Sequence, residues 1–266
     1  MSTSNEFTLT TSEFKALSIA SNIQFVGMDY SEYEGLDEQA AREKVQVILE
    51  TLAQKGVVQL DSHLQFGLNE MLHEIMVQYE QLAQKMVFQT TVEGTQSMSW
   101  IIPSDNYLYV LQAYGEQFDI LQATNIDEIV TFLCMYFPAS VGEHPAIDVP
   151  LTKDHFVKFM MNLELNRLEK AEAILVQHDV TTADAKTIVS MFSQKQYYLG
   201  LSVFESLQLT TQTIVLPGDS YWLTVIMTED ETEFFTISSS TQSRLEARLV
   251  LELTQLLANG GLNINE

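Results

Sequence analysis

The strongest constraint on the fold is an internal repeat, in which one turn-to-strand pattern occurs twice. IIPSDNYLYVL, which begins at Ile101, aligns with VLPGDSYWLTV, which begins at Val215. Both segments contain Pro-x-Asp-x-Tyr followed by alternating apolar residues. Proline restricts φ and aspartate accepts hydrogen bonds from its own turn, so this pattern is typical of a turn that leads into a strand. We therefore expect Tyr107 and Tyr221 to begin equivalent strands.

The segments around this pattern also repeat in order. Two-residue periodicity predicts strands at 85–92, 96–102, 107–114 and 117–122, and again at 197–207, 209–216, 221–228 and 233–238. An amphipathic helix follows each set, at 126–137 and 242–257. Earlier in the chain, helices are predicted at 37–55 and 68–82, with a small hairpin at 57–64 between them. LTTSEF at Leu9 and LTKDHF at Leu151 each supply a hydroxyl residue to cap a helix.

The repeat predicts an α+β fold with an antiparallel β-sheet built from two pseudo-twofold-related halves and flanked by helices. We expect a single domain over residues 1–266, with halves at 1–138 and 150–258 and a Pro- and Gly-bearing linker at 138–150 between them. Joining the two half-sheets would cover strand edges that otherwise invite aggregation.

The charge of the chain argues against several classes of ligand. The net charge is −23, and residues 86–152 and 196–243 contain no lysine or arginine. Such a surface repels phosphate backbones and anionic lipid, so we expect neither a nucleic-acid ligand nor membrane insertion. The N-terminus has no basic and apolar segments of a signal peptide, and the chain has a single cysteine, which together favour a cytoplasmic location.

No motif in the sequence indicates an enzyme. The glycines do not form a nucleotide-binding loop, and the five histidines, His63, His73, His144, His155 and His178, are dispersed rather than spaced as metal ligands. Cys134 lies in the apolar run FLCMYF, which is typical of a buried cysteine. We therefore expect no catalytic residue, no cofactor and no metal.

Two segments are candidates for binding another protein. The turn formed by Val92, Glu93, Gly94, Thr95 and Gln96 lies at the rim of the first half-sheet. The segment FMMNLEL contains Met160, Met161 and Leu163, and methionine is well suited to surfaces that accept partner helices. For both segments the ordinary structural roles, a plain turn and a helix core, remain open.

The chain resembles the EspG family of type VII (ESX) secretion chaperones, as a divergent member of the Firmicutes type. The resemblance is carried by LTTSEFKAL, by LETLAQKGVVQLDSHL and by GDSYWLTVIMTEDETEFFTISSSTQSRLEARLVLELTQLL. It implies a cytosolic chaperone that binds a helical type VII secretion substrate or toxin targeting domain, keeps it soluble and delivers it to the secretion machinery. The alternative is an immunity or inhibitor protein whose negative charge steers it to a basic toxin. Monomer and homodimer both remain open.

Overall fold

A computed structural model describes residues 2–3, 8–60, 66–92, 94–104, 107–134, 146–194, 197–205, 207–217, 222–228 and 234–259. The first part of the chain contains β1 (Ser2–Thr3), β2 (Leu9–Thr10), α1 (Thr11–Ala20), α2 (Glu38–Gln54), β3 (Val58–Leu60), β4 (Phe66–Leu68), α3 (Glu70–Gln81), β5 (Gln84–Val92), β6 (Thr95–Pro103), β7 (Leu108–Tyr114), β8 (Gln117–Ala123) and α4 (Ile126–Cys134). The remainder contains β9 (Asp148–Thr152), α5 (Lys153–Glu164), α6 (Leu168–Val176), α7 (Thr182–Gln194), β10 (Tyr197–Glu205), β11 (Gln208–Pro217), β12 (Trp222–Thr228), β13 (Phe234–Ser240) and α8 (Gln242–Asn259). No helix within these ranges has the length and apolar character needed to cross a bilayer.

The strands form a large antiparallel sheet and one small hairpin. The large sheet has the order β1-β8-β7-β6-β5-β10-β11-β12-β13-β9, and β2 also pairs with β8. β3 pairs with β4 in the separate hairpin. The predicted α+β class, with an antiparallel sheet and flanking helices, is confirmed.

The repeated turn occupies equivalent positions in the two meanders. Pro103, the last residue of β6, pairs with Leu108, and Pro217, the last residue of β11, pairs with Trp222. Tyr107 directly precedes β7, whereas Asp105, Asp219 and Tyr221 lie outside the described residues. The predicted equivalence of β7 and β12 is confirmed, while the description of residues 1–138 and 150–258 as halves of a single domain stays a prediction.

The two hydroxyl caps are also equivalent. The Thr10 side chain accepts a hydrogen bond from the Glu13 backbone N–H at 3.1 Å, and the Glu13 carboxylate accepts one from the Thr10 N–H at 2.8 Å. At the start of α5, the Thr152 hydroxyl accepts from the His155 N–H at 3.3 Å. In each case the threonine satisfies a backbone donor that the first turn of a helix leaves free.

Replacing Thr10 by alanine is expected to lower the free energy of unfolding by about 1 kcal/mol, because the first turn of α1 loses its side-chain acceptor. Thr10→Ser, which keeps the hydroxyl, is the matched control and should change stability much less. Urea unfolding followed by circular dichroism measures both variants. Equal losses for alanine and serine would show that the hydroxyl does not stabilise α1.

The linker prediction is wrong at its end, because residues 148–150 belong to β9 rather than to a connecting segment. β9 pairs antiparallel with β13, and Pro150 lies opposite Thr236. Proline lacks the N–H that an inner strand needs, but an edge strand tolerates it because one side makes no ladder bonds. β9 stands at the end of the strand order, which is such an edge. The rest of the linker, to residue 145, and the predicted helix residues 135–137 lie outside the described residues.

The chain divides into two compact units. Unit 1 contains Met1–Val87, Ser97–Ile129 and Gln255–Glu266, and unit 2 contains Phe88–Gln96 and Val130–Thr254. The core of unit 1 is rich in aromatic rings and includes Phe14, Phe25, Tyr79, Trp100 and Phe118. In unit 2, residues of β9 and β11–β13 pack with the inner faces of α5, α6 and α7.

Candidate functional site

Within the described ranges, no three residues among His, Cys, Asp and Glu lie close enough together to hold a metal ion. Cys134 is buried, and burial together with the charge of Glu246 raises the pKa of its thiol to about 12. Because the thiolate is the reactive form, Cys134 is poorly suited to act as a nucleophile at neutral pH.

The predicted turn at the end of β5 is a tight hairpin between β5 and β6. Gly94 has a φ of +81°, in the left-handed region that favours glycine, and Gly94, Thr95 and Gln96 are exposed. Val92 is the last residue of β5, with its side chain outside the described part, and Glu93 also lies outside it. The described part of the turn, Gly94, Thr95 and Gln96, therefore presents small and polar groups to solvent.

The predicted methionine segment lies on α5, and its three candidate residues do not share one face. Met160 and Leu163 are partly buried and pack against the core of unit 2. Met161 is 46% exposed. Successive residues of a helix point 100° apart, so the run FMMNLEL places some of its apolar side chains in the core and others in solvent.

The outer face of α5 carries an apolar stripe, which we call the α5 seam and define as Val157, Met161 and Leu165. Val157 is 53% exposed, and Leu165, the C-cap residue that directly follows α5, is 52% exposed. Residues four apart are neighbours along a helix, so the seam forms one continuous ridge. It continues in chain order to Leu168, an exposed residue that begins α6.

The inner face of α5 anchors the seam to a packed core. Phe156 stacks on Phe235 with ring centroids 4.1 Å apart and an interplanar angle of 7°. Phe159 meets Phe192 edge to face at 5.1 Å. Aromatic contacts of these kinds stabilise beyond the area they bury, so the backbone of α5 is held in place and the seam is a preformed surface.

The chain segment that carries the seam is more basic than the rest of this acidic chain. Residues 153–170 contain four basic residues, Lys153, Lys158, Arg167 and Lys170, and three acidic ones, Asp154, Glu164 and Glu169. The whole chain has 13 basic and 36 acidic residues. An apolar ridge with nearby cations fits an amphipathic helix whose flanks carry carboxylates.

Sequence reasoning missed Val157 and Leu165. The i, i+4, i+8 spacing of Val157, Met161 and Leu165 is visible in the sequence, but the same segment also supplies Phe156, Phe159, Met160 and Leu163. With apolar residues on both faces, the period alone does not show which face a neighbouring element covers.

Comparison with known proteins shows a likeness in fold and none in sequence. No family model and no curated protein matches the chain. The fold is similar to that of the Mycobacterium tuberculosis type VII secretion system chaperone EspG5, solved in complex with the PE25–PPE41 dimer. The TM-score is 0.64 over 98% of this chain and 98% of that chain, at 11% sequence identity. The expected EspG-like fold is confirmed for nearly the whole chain.

Proposed function

We propose that this protein is a cytosolic chaperone of the EspG type, a divergent Firmicutes-type member, which binds a helical type VII secretion substrate and delivers it to the secretion machinery. The observation that carries the proposal is the α5 seam, an exposed apolar ridge on a helix that the core of unit 2 holds rigid. The EspG-like fold supports the same function.

The seam is suited to packing against another helix. Val157, Met161 and Leu165 are spaced to interdigitate with the side chains of a partner helix, and methionine adapts its shape to different partners. Folding of the free chain leaves these three side chains largely in water, so they contribute little to its stability. Docking of a partner helix would remove both the seam and the helix's own apolar face from water, which favours the complex. The hairpin at Gly94, Thr95 and Gln96 belongs to the same unit and is a second candidate contact.

This function requires binding and no catalysis. A substrate whose apolar helices are covered by the chaperone stays soluble because the complex lowers the concentration of the free, aggregation-prone form. Release then requires only a competing binding site on the secretion machinery.

Co-expression with small helical proteins encoded beside this chain tests the proposal. We expect one of them to become soluble only in the presence of this chain and to co-elute with it on gel filtration. Light scattering of the complex gives the stoichiometry and shows whether the chaperone is a monomer or a homodimer. Failure of every such neighbour to form a complex would contradict the proposal.

An immunity or inhibitor function is the second candidate, and the charge of the chain favours it. With a net charge of −23 and long segments free of lysine and arginine, the surface would attract a basic toxin domain at a high association rate. Pull-downs with the separated halves of a toxin distinguish the two functions. Binding to the helical targeting half supports the chaperone, and binding to the toxic half alone supports the inhibitor.

A further inference from the structure

Two histidines that are far apart in the sequence meet in unit 2. His155 lies in the first turn of α5, and His178 lies in the turn that follows α6. The distance between His155 Nδ1 and His178 Nε2 is 2.7 Å, so one nitrogen donates its N–H and the other accepts. The rings meet edge to face with centroids 4.9 Å apart, and both side chains are partly buried.

The backbone on both sides of this pair is fixed. The Thr152 cap holds the His155 N–H, and the His178 N–H donates to the Leu175 carbonyl at 2.9 Å. Asp179, the next residue, has a φ of +63°, and the chain then turns back so that the Val180 N–H also reaches the Leu175 carbonyl. Leu175 is fully buried in the core of unit 2. The two rings therefore meet because the packing of α5 against α6 places them together.

We propose that His155 and His178 form a two-histidine site for a divalent transition metal. Imidazole nitrogens bind Zn²⁺ at about 2.0–2.1 Å, which in tetrahedral geometry separates two such nitrogens by about 3.3 Å. The observed 2.7 Å lies about 0.6 Å short of that separation. Small side-chain rotations suffice to admit the ion, and the shared N–H proton moves to the other nitrogen of its own ring, so that each neutral imidazole offers the metal a lone pair.

The ligand set indicates which metals fit. The described residues supply no third histidine, cysteine or carboxylate within reach, so water completes the coordination shell. Imidazole suits Cu²⁺, Ni²⁺ and Zn²⁺, and in the Irving–Williams series Cu²⁺ binds a nitrogen site more tightly than Ni²⁺ or Zn²⁺ does. A bound ion links the start of α5 to the end of α6 and stabilises the helix pair that carries the α5 seam. The site goes beyond the proposed chaperone function and does not depend on it.

Titration of the tag-free full chain with NiCl₂, followed by calorimetry, tests the site. We expect one equivalent of Ni²⁺ to bind, and His155→Gln and His178→Gln each to weaken that binding at least tenfold. The matched control is His73→Gln on the exposed surface of α3, which should leave the affinity unchanged. Circular dichroism of each metal-free variant checks that it remains folded.

A second measurement uses the unmodified chain, so the test does not depend on the folding of any variant. One equivalent of CuSO₄ should give an electron paramagnetic resonance spectrum of Cu²⁺ with superhyperfine splitting from two imidazole nitrogens. Undetectable binding of Ni²⁺ at millimolar concentration, or an affinity that both glutamine variants retain, would overturn the site. A copper spectrum with fewer than two nitrogen ligands would also overturn it.

Discussion

Replacing Phe25 by alanine is expected to lower the free energy of unfolding by about 3–5 kcal/mol, the range for removing a large aromatic side chain from a packed core. Phe25 is 1% exposed. Its ring stacks on Tyr79 at 3.9 Å and meets Phe14 edge to face at 4.9 Å. The alanine variant therefore leaves a cavity and removes both ring contacts.

Two hydrogen bonds keep the segment around Phe25 from closing this cavity. The Val26 N–H donates to the Tyr79 hydroxyl at 2.8 Å, and the Trp100 indole N–H donates to the Val26 carbonyl at 2.8 Å. Both polar groups of the Val26 backbone are thus hydrogen-bonded. A shift of this backbone into the cavity would break buried hydrogen bonds.

Guanidinium chloride unfolding measures the effect of Phe25→Ala. Val47→Ala is the matched control, because Val47 is 64% exposed on α2 of the same unit and its change should stay within about 0.5 kcal/mol. If Phe25→Ala changed the free energy of unfolding by no more than this control does, the aromatic cluster would not be what holds unit 1 together.

If the proposed function is right, replacing Val157 and Met161 together by aspartate is expected to weaken the complex with the proposed helical substrate at least 100-fold, and gel filtration should then show two separate proteins. Each aspartate places a carboxylate in the apolar ridge, where a partner helix would have to desolvate it without an opposing charge. The free chain should remain folded, because both side chains are about half exposed and contribute little to the core.

The double variant Val47→Asp/Leu251→Asp is the matched control for the seam. It adds the same charge at exposed apolar positions on α2 and α8, where Val47 is 64% and Leu251 is 56% exposed. This control should retain the affinity of the unmodified chain. Equal weakening by both double variants would trace the effect to net charge, and full binding by the seam variant would place the docking surface elsewhere.

The elements of the repeat were predictable because their signals are local. Alternation of apolar residues predicted β6, β7, β11 and β12 to within about two residues, and the Pro-x-Asp-x-Tyr pattern predicted that β7 and β12 are equivalent strands. Thr10 and Thr152 were recognisable as caps because capping depends on one side chain and the next three backbone N–H groups. The burial of Cys134 followed in the same way from its apolar neighbours.

By itself, the sequence determined the α+β class, the order of the strands in each meander and the caps of two helices, since each depends on residues within a few positions of one another. Only the tertiary structure decided that Pro150 lies in a strand, because its edge position depends on pairing with β13. The tertiary structure likewise decided that Met160 and Leu163 face the core while Val157, Met161 and Leu165 face solvent. It also brought His155 to His178, since packing between α5 and α6 sets that distance. In all three cases the outcome depends on which remote element covers a surface, and local periodicity carries no information about that element.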